Sequence, residues 1–73
     1  MYKDAFAEKL KEARKSIGYN QIEAAALLNI PNSTLANYEL GRTEPDLETL
    51  GKLADFYEVS LDWLLSTGKK KFN

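Results

Sequence analysis

Two short helix-forming segments lie only three residues apart in the middle of this 73-residue chain. The first, residues 21–28, is rich in alanine, and Asn20 and Glu23 are spaced to form a capping box around its start. The second, residues 32–40, follows Pro31, which is favourable at a helix start. Because the connection is so short, the two helices cannot lie antiparallel and must cross steeply. Their buried junction is predicted to contain Ala24, Ala25, Leu28, Ile30, Leu35 and Tyr38.

Three further helices are predicted around this pair, and the chain shows no strand-like alternation. The first covers residues 4–17 and stops at Gly18, as Asn29 and Gly41 stop the second and third. Pro45 and Asp46 open the fourth, and the fifth runs from a Ser60 cap to Gly68. The apolar stripes of the first and fourth helices are Phe6, Leu10, Ala13 and Ile17, and Leu47, Leu50, Leu53, Ala54 and Tyr57. The fold class is therefore predicted to be all-α, a compact bundle of five helices.

Two residues of the last helices leave alternatives open. Gly51 lies inside the fourth helix, where glycine costs on the order of 1 kcal/mol relative to alanine. A close approach of another helix would explain it, but the sequence does not show one. Trp63 is expected in the core, with a contact between two copies of the chain as the alternative, since aromatic residues are enriched at interfaces.

The composition excludes several classes of function. The chain contains no cysteine and no histidine, so disulfides, thiolate metal sites and the commonest general base are all absent. It also lacks phosphate-binding and dinucleotide motifs, and we expect no enzyme activity, cofactor, metal or small-molecule ligand. No apolar run approaches the roughly 18 residues of a membrane span, and the N-terminus is not a signal peptide. We therefore expect one cytoplasmic domain over residues 1–68 and a basic, flexible tail over residues 69–73.

The charge distribution is more informative than the net charge of −1. Residues 1–19 contain five basic and three acidic side chains, whereas residues 46–68 contain one basic and five acidic ones. A surface that binds nucleic acid should therefore avoid residues 46–62. The lysines of the tail, residues 69–71, are interpreted as solvated, with a supplementary phosphate contact as the alternative.

The central segment, QIEAAALLNIPNSTLANYEL, resembles the helix-turn-helix of lambda-repressor/Cro-type regulators, also called the xenobiotic-response-element family. The resemblance extends over about residues 4–66. It implies a lambda-repressor-like domain with its motif at residues 21–40. It also implies a bacterial or phage transcriptional regulator, expected to be a repressor, that reads a double-stranded DNA operator as a homodimer. The residues in register are Gln21, Ala25, Asn29, Leu35, Tyr38, Glu39, Gly41, Arg42, Pro45 and the segment 59–65.

The resemblance also implies roles for individual residues. Bases would be contacted by Asn32, Ser33 and Asn37, with Thr34 and Ala36 as further candidates, and phosphates by Gln21, Asn20, Arg42 and Thr43. Arg14 and Glu39 match a buried ion pair that links the first helix to the motif. The ordinary alternative is that the polar residues of the third helix are only solvated surface.

The chain departs from the family pattern in ways that affect function. Asn29 stands where glycine is usual, and Pro31 where a serine or threonine cap is common. The third helix contains no lysine or arginine, so it cannot read guanine through arginine, and adenine-directed or shape-dependent contacts are expected. The runner-up hypothesis is a protein-interaction module that keeps the fold and has lost DNA binding.

Overall fold

The chain folds into five helices over residues 2–66, the part that the computed structural model describes, with side chains described from residue 5. They are α1 (Tyr2–Ile17), α2 (Gln21–Leu28), α3 (Asn32–Glu39), α4 (Leu47–Tyr57) and α5 (Leu61–Leu65). This part of the chain contains no strand, so the predicted fold class is confirmed. None of its helices combines the length and the apolar character needed to cross a membrane.

The boundaries differ from the predicted ones at the two ends of the bundle. α1 begins two residues before the predicted start at residue 4. α5 ends at Leu65, because the backbone of Ser66 is already extended, and the prediction that it continues to Gly68 is wrong. Gly68 itself and the predicted tail, residues 69–73, lie outside the described residues.

A residue in the left-handed conformation follows each of the first four helices, and backbone hydrogen bonds of the Schellman type close each end. These residues are Gly18, Asn29, Gly41 and Glu58, with φ of 93°, 62°, 75° and 59°. The predicted stops at Gly18, Asn29 and Gly41 are confirmed. Glu58 was missed, because a glutamate gives no sequence signal for this conformation, which L-residues with large side chains seldom adopt.

The core takes one fully buried leucine from each of four helices: Leu10, Leu35, Leu53 and Leu64. α2 contributes the buried Ala24 and Ala25 instead. Since both side chains are small, the backbone of α2 can approach its neighbours closely. α1 packs against α3, α4 and α5, and α3 packs against both α1 and α2.

Two apolar residues lie differently from the sequence prediction. Leu47 is 86% exposed and Ile17 is 38% exposed, so their predicted burial is wrong. Both stand at a helix terminus, where the apolar stripe continues past the edge of the core. Trp63 is half-buried against the core, and the ammonium of Lys9 lies 5.1 Å from the centre of its ring.

Gly51 has no packing reason to be glycine, because a Cβ added there would meet no atom within 4 Å. The close approach considered from the sequence is therefore absent. We expect Gly51→Ala to raise the free energy of unfolding by about 0.5–1 kcal/mol, since alanine loses less backbone entropy in a helix. Thermal unfolding followed by circular dichroism would then show a midpoint roughly 2–8 °C higher.

Gly18→Ala is the matched control for this prediction. A Cβ at Gly18 would also meet nothing within 4 Å, but the backbone there has φ of +93°. We expect this substitution to lower the free energy of unfolding by about 1 kcal/mol or more, because alanine is strained in that conformation. Shifts of the same sign in the two variants would contradict the argument.

Candidate nucleic-acid interface

The turn between α2 and α3 consists of residues 29–31. Asn29 is left-handed, with φ of 62° and ψ of 42°, and Ile30 N–H donates to the Ala25 carbonyl at 3.0 Å. Ile30 then packs against the core. This turn holds α3 against α2, with Leu35, Tyr38 and Glu39 on the buried face of α3.

The predicted base-contacting residues lie outside that buried face. Asn32 and Ser33 are exposed, and Thr34, Ala36 and Asn37 are half-buried. At 3.6 residues per turn, four of them fall within an arc of about 140° on the outer side of α3, and Thr34 lies at its flank. The structure therefore brings these side chains together on one surface.

The start of α3 differs from the starts of α2, α4 and α5. Those helices are capped by the side chains of Asn20, Asp46 and Ser60. The N-cap position of α3 is occupied by Pro31, and no side chain caps this helix. Pro31 lies just before the helix as its N-cap residue, with φ of −62° and ψ of 145°. The first N–H groups of α3 are thus not used by a capping side chain, at the positive end of the helix dipole.

The predicted phosphate-contacting residues lie at two separate places. Asn20 and Gln21 stand at the start of α2, and the exposed Arg42 and Thr43 lie between α3 and α4. Asn20 Oδ1 accepts from Glu23 N–H at 2.8 Å, and Glu23 Oε1 accepts from Asn20 N–H at 2.9 Å, which is the predicted capping box. The side-chain NH₂ group of Asn20 donates to no other group among the described residues.

A buried ion pair joins α1 to α3. Arg14 Nε donates to Glu39 Oε2 at 2.8 Å, and an Nη of Arg14 donates to Glu39 Oε1 at 2.9 Å. The side chains are 11% and 2% exposed. The hydrogen bond with Glu39 raises the pKa of Arg14, burial opposes that rise, and the negative charge of Glu39 adds to it.

Two further contacts extend this pair into a junction of four chain segments. Gln21 Nε2 donates to Glu39 Oε1 at 3.2 Å, and the other Nη of Arg14 donates to the Tyr19 carbonyl at 3.1 Å. The network therefore holds α1, the α1–α2 connection, α2 and α3 together. The resemblance pointed to Arg14 and Glu39, but nothing in the sequence indicated that Gln21 and Tyr19 take part.

Removal of the Arg14 side chain alone should strongly destabilise the fold. Arg14→Met leaves the carboxylate of Glu39 buried without a counter-charge, and we expect the free energy of unfolding to fall by about 3–5 kcal/mol. The double variant Arg14→Met/Glu39→Gln removes that unpaired charge, so it should be more stable than Arg14→Met in urea unfolding. If the double variant is as unstable as the single one, the buried charge is not the cause.

The hydroxyl of Tyr57 is buried near this network, and it has no hydrogen-bond partner in the part of the chain that the structure describes. Burial raises the pKa of Tyr57 to about 12, with a smaller rise from the negative charge of Glu39 and an opposing effect of Arg14. Since the ordinary value is 10.0, the folded state favours the neutral phenol over the ionised one, and the stability that follows from this preference is fully present below pH 10. That stability is lost as the pH rises from 10 to about 12.

We expect Tyr57→Phe to leave the free energy of unfolding at pH 7 unchanged or to raise it by up to about 1 kcal/mol, because an unpaired polar atom is removed. The variant should also lose less stability between pH 10 and pH 12, since it lacks the titrating group. Urea unfolding at pH 7 and across the alkaline range checks both points. A clear loss of stability at pH 7 would instead mean that the hydroxyl makes a stabilising hydrogen bond.

Two open grooves cross the surface of the bundle. One, of about 440 Å³, lies between α1 and α3 and includes Gln21 and Ala36. The other, of about 340 Å³, lies between α1 and the segment from Tyr57 to Trp63. Among the described residues, no three His, Cys, Asp or Glu side chains lie together so as to hold a metal ion.

The sequence model of the helix-turn-helix family HTH_3 matches residues 10–64, which include the ion pair, the turn and all of α2 to α4. The chain belongs to the helix-turn-helix family. Its α2 and α3 are the two helices of the motif, and the predicted resemblance is confirmed. Similar proteins are named as HTH-type transcriptional regulators, and one of them as a transcriptional repressor.

Three of these relatives show how far the similarity extends. The transcriptional regulator ImmR of Bacillus subtilis is 51% identical over 61 residues, which are 84% of this chain and 48% of ImmR. The prophage-derived regulator YonR of the same species is 43% identical over 68 residues, or 93% of this chain and 63% of YonR. The phage transcriptional repressor RstR of Vibrio cholerae is 38% identical over 61 residues, or 84% and 55%. The chain thus spans about half to two thirds of the length of these relatives.

Proposed function

We propose that this helix-turn-helix domain binds a specific double-stranded DNA operator and represses transcription, with α3 in the major groove. The observation that carries the proposal is the contrast between the two faces of α3. Its inner face is held by Glu39 in the buried network, and its outer face presents polar side chains to solvent. A single α-helix fits the major groove of B-form DNA, and a rigidly anchored one keeps its register there.

The outer face of α3 would read bases through neutral groups. Asn32 and Asn37 can each make a bidentate contact with adenine, and the hydroxyl of Ser33 can serve several bases. Thr34 and Ala36 are suited to contact the methyl group of thymine. Because α3 carries no arginine, we infer an operator whose half-sites are read at A·T pairs or by DNA shape.

Phosphate contacts would position α3 on the duplex. Asn20 and Gln21 at the start of α2, and Arg42 and Thr43 after α3, are suited to hold the backbone on either side of the major groove. Gln21 is of special interest, because the same side chain donates to Glu39. A phosphate bound by Gln21 would therefore lie next to the network that orients α3.

The domain would act in the cytoplasm as a homodimer, without an enzymatic step and without a cofactor or small-molecule ligand. One helix-turn-helix makes few base contacts, and a symmetric dimer reads two half-sites about 34–36 Å apart. Repression is supported by RstR, whose name states that role, and a dimer bound over a promoter would exclude polymerase. Sedimentation of the protein with one and two half-sites would test the dimer.

Selection from a library of random duplexes, followed by sequencing, tests sequence reading. We expect enrichment of a short inverted repeat whose half-sites are centred about one helical turn, or 10–10.5 base pairs, apart. A reporter placed behind the enriched sequence should then be repressed. No enrichment from the library, with binding to all duplexes alike, would overturn the proposal of a sequence reader and favour the protein-interaction module.

Asn37 and Arg42 should separate base reading from backbone binding. Asn37→Ala is expected to weaken binding to the selected duplex by about 1–3 kcal/mol and to relax the preference at one base pair per half-site. Arg42→Gln is expected to weaken binding to selected and shuffled duplexes by the same factor. Titrations of both variants on both duplexes check this, and an unchanged base preference in Asn37→Ala would remove Asn37 from the reading surface.

A further inference from the structure

The groove between α1 and α3 connects the predicted DNA surface to the first helix. It is lined by Lys11, Arg14 and Lys15 of α1, by Gln21, and by Ala36 and Leu40 at the end of α3. Gln21 is a proposed phosphate contact and Ala36 a proposed base contact. The side chains of α1 in this groove therefore stand directly beside the proposed path of the DNA backbone.

Two of the three cations in this groove have no ion-pair partner among the described residues. Arg14 already donates hydrogen bonds to Glu39 and to the Tyr19 carbonyl. Lys11 and Lys15 make no ion pair with any of the residues that the structure describes. They stand four positions apart, so they lie on the same side of α1, one turn from each other.

The lysines elsewhere in the structure have other surroundings. Lys9 lies over the ring of Trp63, on the side of α1 that packs against α5. Lys52 is exposed on α4, among the acidic residues of that part of the chain. Glu12 of α1 lines the second groove, next to Tyr57 and Trp63. Lys11 and Lys15 are therefore the described lysines that lie at the groove bordering α3.

We propose that Lys11 and Lys15 bind DNA phosphates, so that α1 forms part of the DNA interface together with α2 and α3. The inference rests on the proposed function and adds two contacts that the helix-turn-helix motif does not contain. Binding to DNA draws much of its affinity from lysine and arginine at phosphates. Since α3 carries no cation, this positive charge has to come from other helices. The contacts with bases would then come from α3, and the attraction to the DNA phosphates would come in part from α1.

The test is the salt dependence of binding. The dissociation constants of the wild type, Lys11→Gln and Lys15→Gln are measured from 50 to 300 mM KCl on the selected duplex and on a shuffled duplex of the same length and composition. Each lysine that neutralises a phosphate steepens the plot of log K against log salt by about 0.9 per protomer. Each variant should therefore lose about that much slope and bind several-fold more weakly at 0.1 M salt. The ratio between selected and shuffled duplex should stay the same.

Lys52→Gln is the matched control, because it removes the same charge outside the groove. Its slope should equal that of the wild type, and Lys11→Arg and Lys15→Arg should keep the wild-type slope because the charge remains. Thermal unfolding of each variant verifies that the fold is intact. If Lys11→Gln and Lys15→Gln have the same slope as Lys52→Gln, the inference is overturned and the two lysines are solvated surface residues.

The experiment separates this inference from the proposed function. If the wild type binds the selected and shuffled duplexes equally, the proposal of sequence reading fails, and the lysine contacts are still decided by the slopes. If the wild type prefers the selected duplex and the slopes do not change, only the lysine contacts fail. If it binds neither duplex, both are overturned.

Discussion

The buried carboxylate of Glu39 is the constraint on which the arrangement of the helices depends. A charge in the interior must be paired and hydrogen-bonded, and Glu39 accepts from Arg14 twice and from Gln21 once. These bonds reach α1 and α2 from the last residue of α3. A helix of eight residues is marginal by itself in water, so α3 owes its direction to this network and to the burial of Leu35 and Tyr38.

Different helices carry the neutral polar, the basic and the acidic surfaces of the domain. The outer face of α3 is polar and uncharged, the free lysines of the first groove belong to α1, and acidic side chains dominate residues 46–62. In the proposed complex, neutral amides and hydroxyls would discriminate between bases, and the flanking cations would supply an attraction that does not depend on sequence. The acidic helices would face away from the duplex, since like charges repel.

Local signals in the sequence predicted the helices well. Three helices start at side-chain caps that bond within one turn, formed by Asn20 with Glu23, by Asp46 and by Ser60. Three helices are followed by a left-handed residue, Gly18, Asn29 or Gly41. Each of these signals therefore acts at short range. The errors come from packing at longer range. Leu47 and Ile17 continue an apolar period beyond the point where a neighbouring helix covers it, and periodicity alone does not show where that edge lies.

The residues by themselves determined the class of the fold, the short turn at residues 29–31 and the face of α3 that stays outside the core, because capping and apolar spacing are local properties. Only the tertiary structure decided that Gln21 joins the ion pair of Arg14 and Glu39. It alone placed Lys11 and Lys15 in one groove with Ala36. These residues are up to 25 positions apart, and their distances depend on how α1 packs across α3, which no short stretch of sequence specifies.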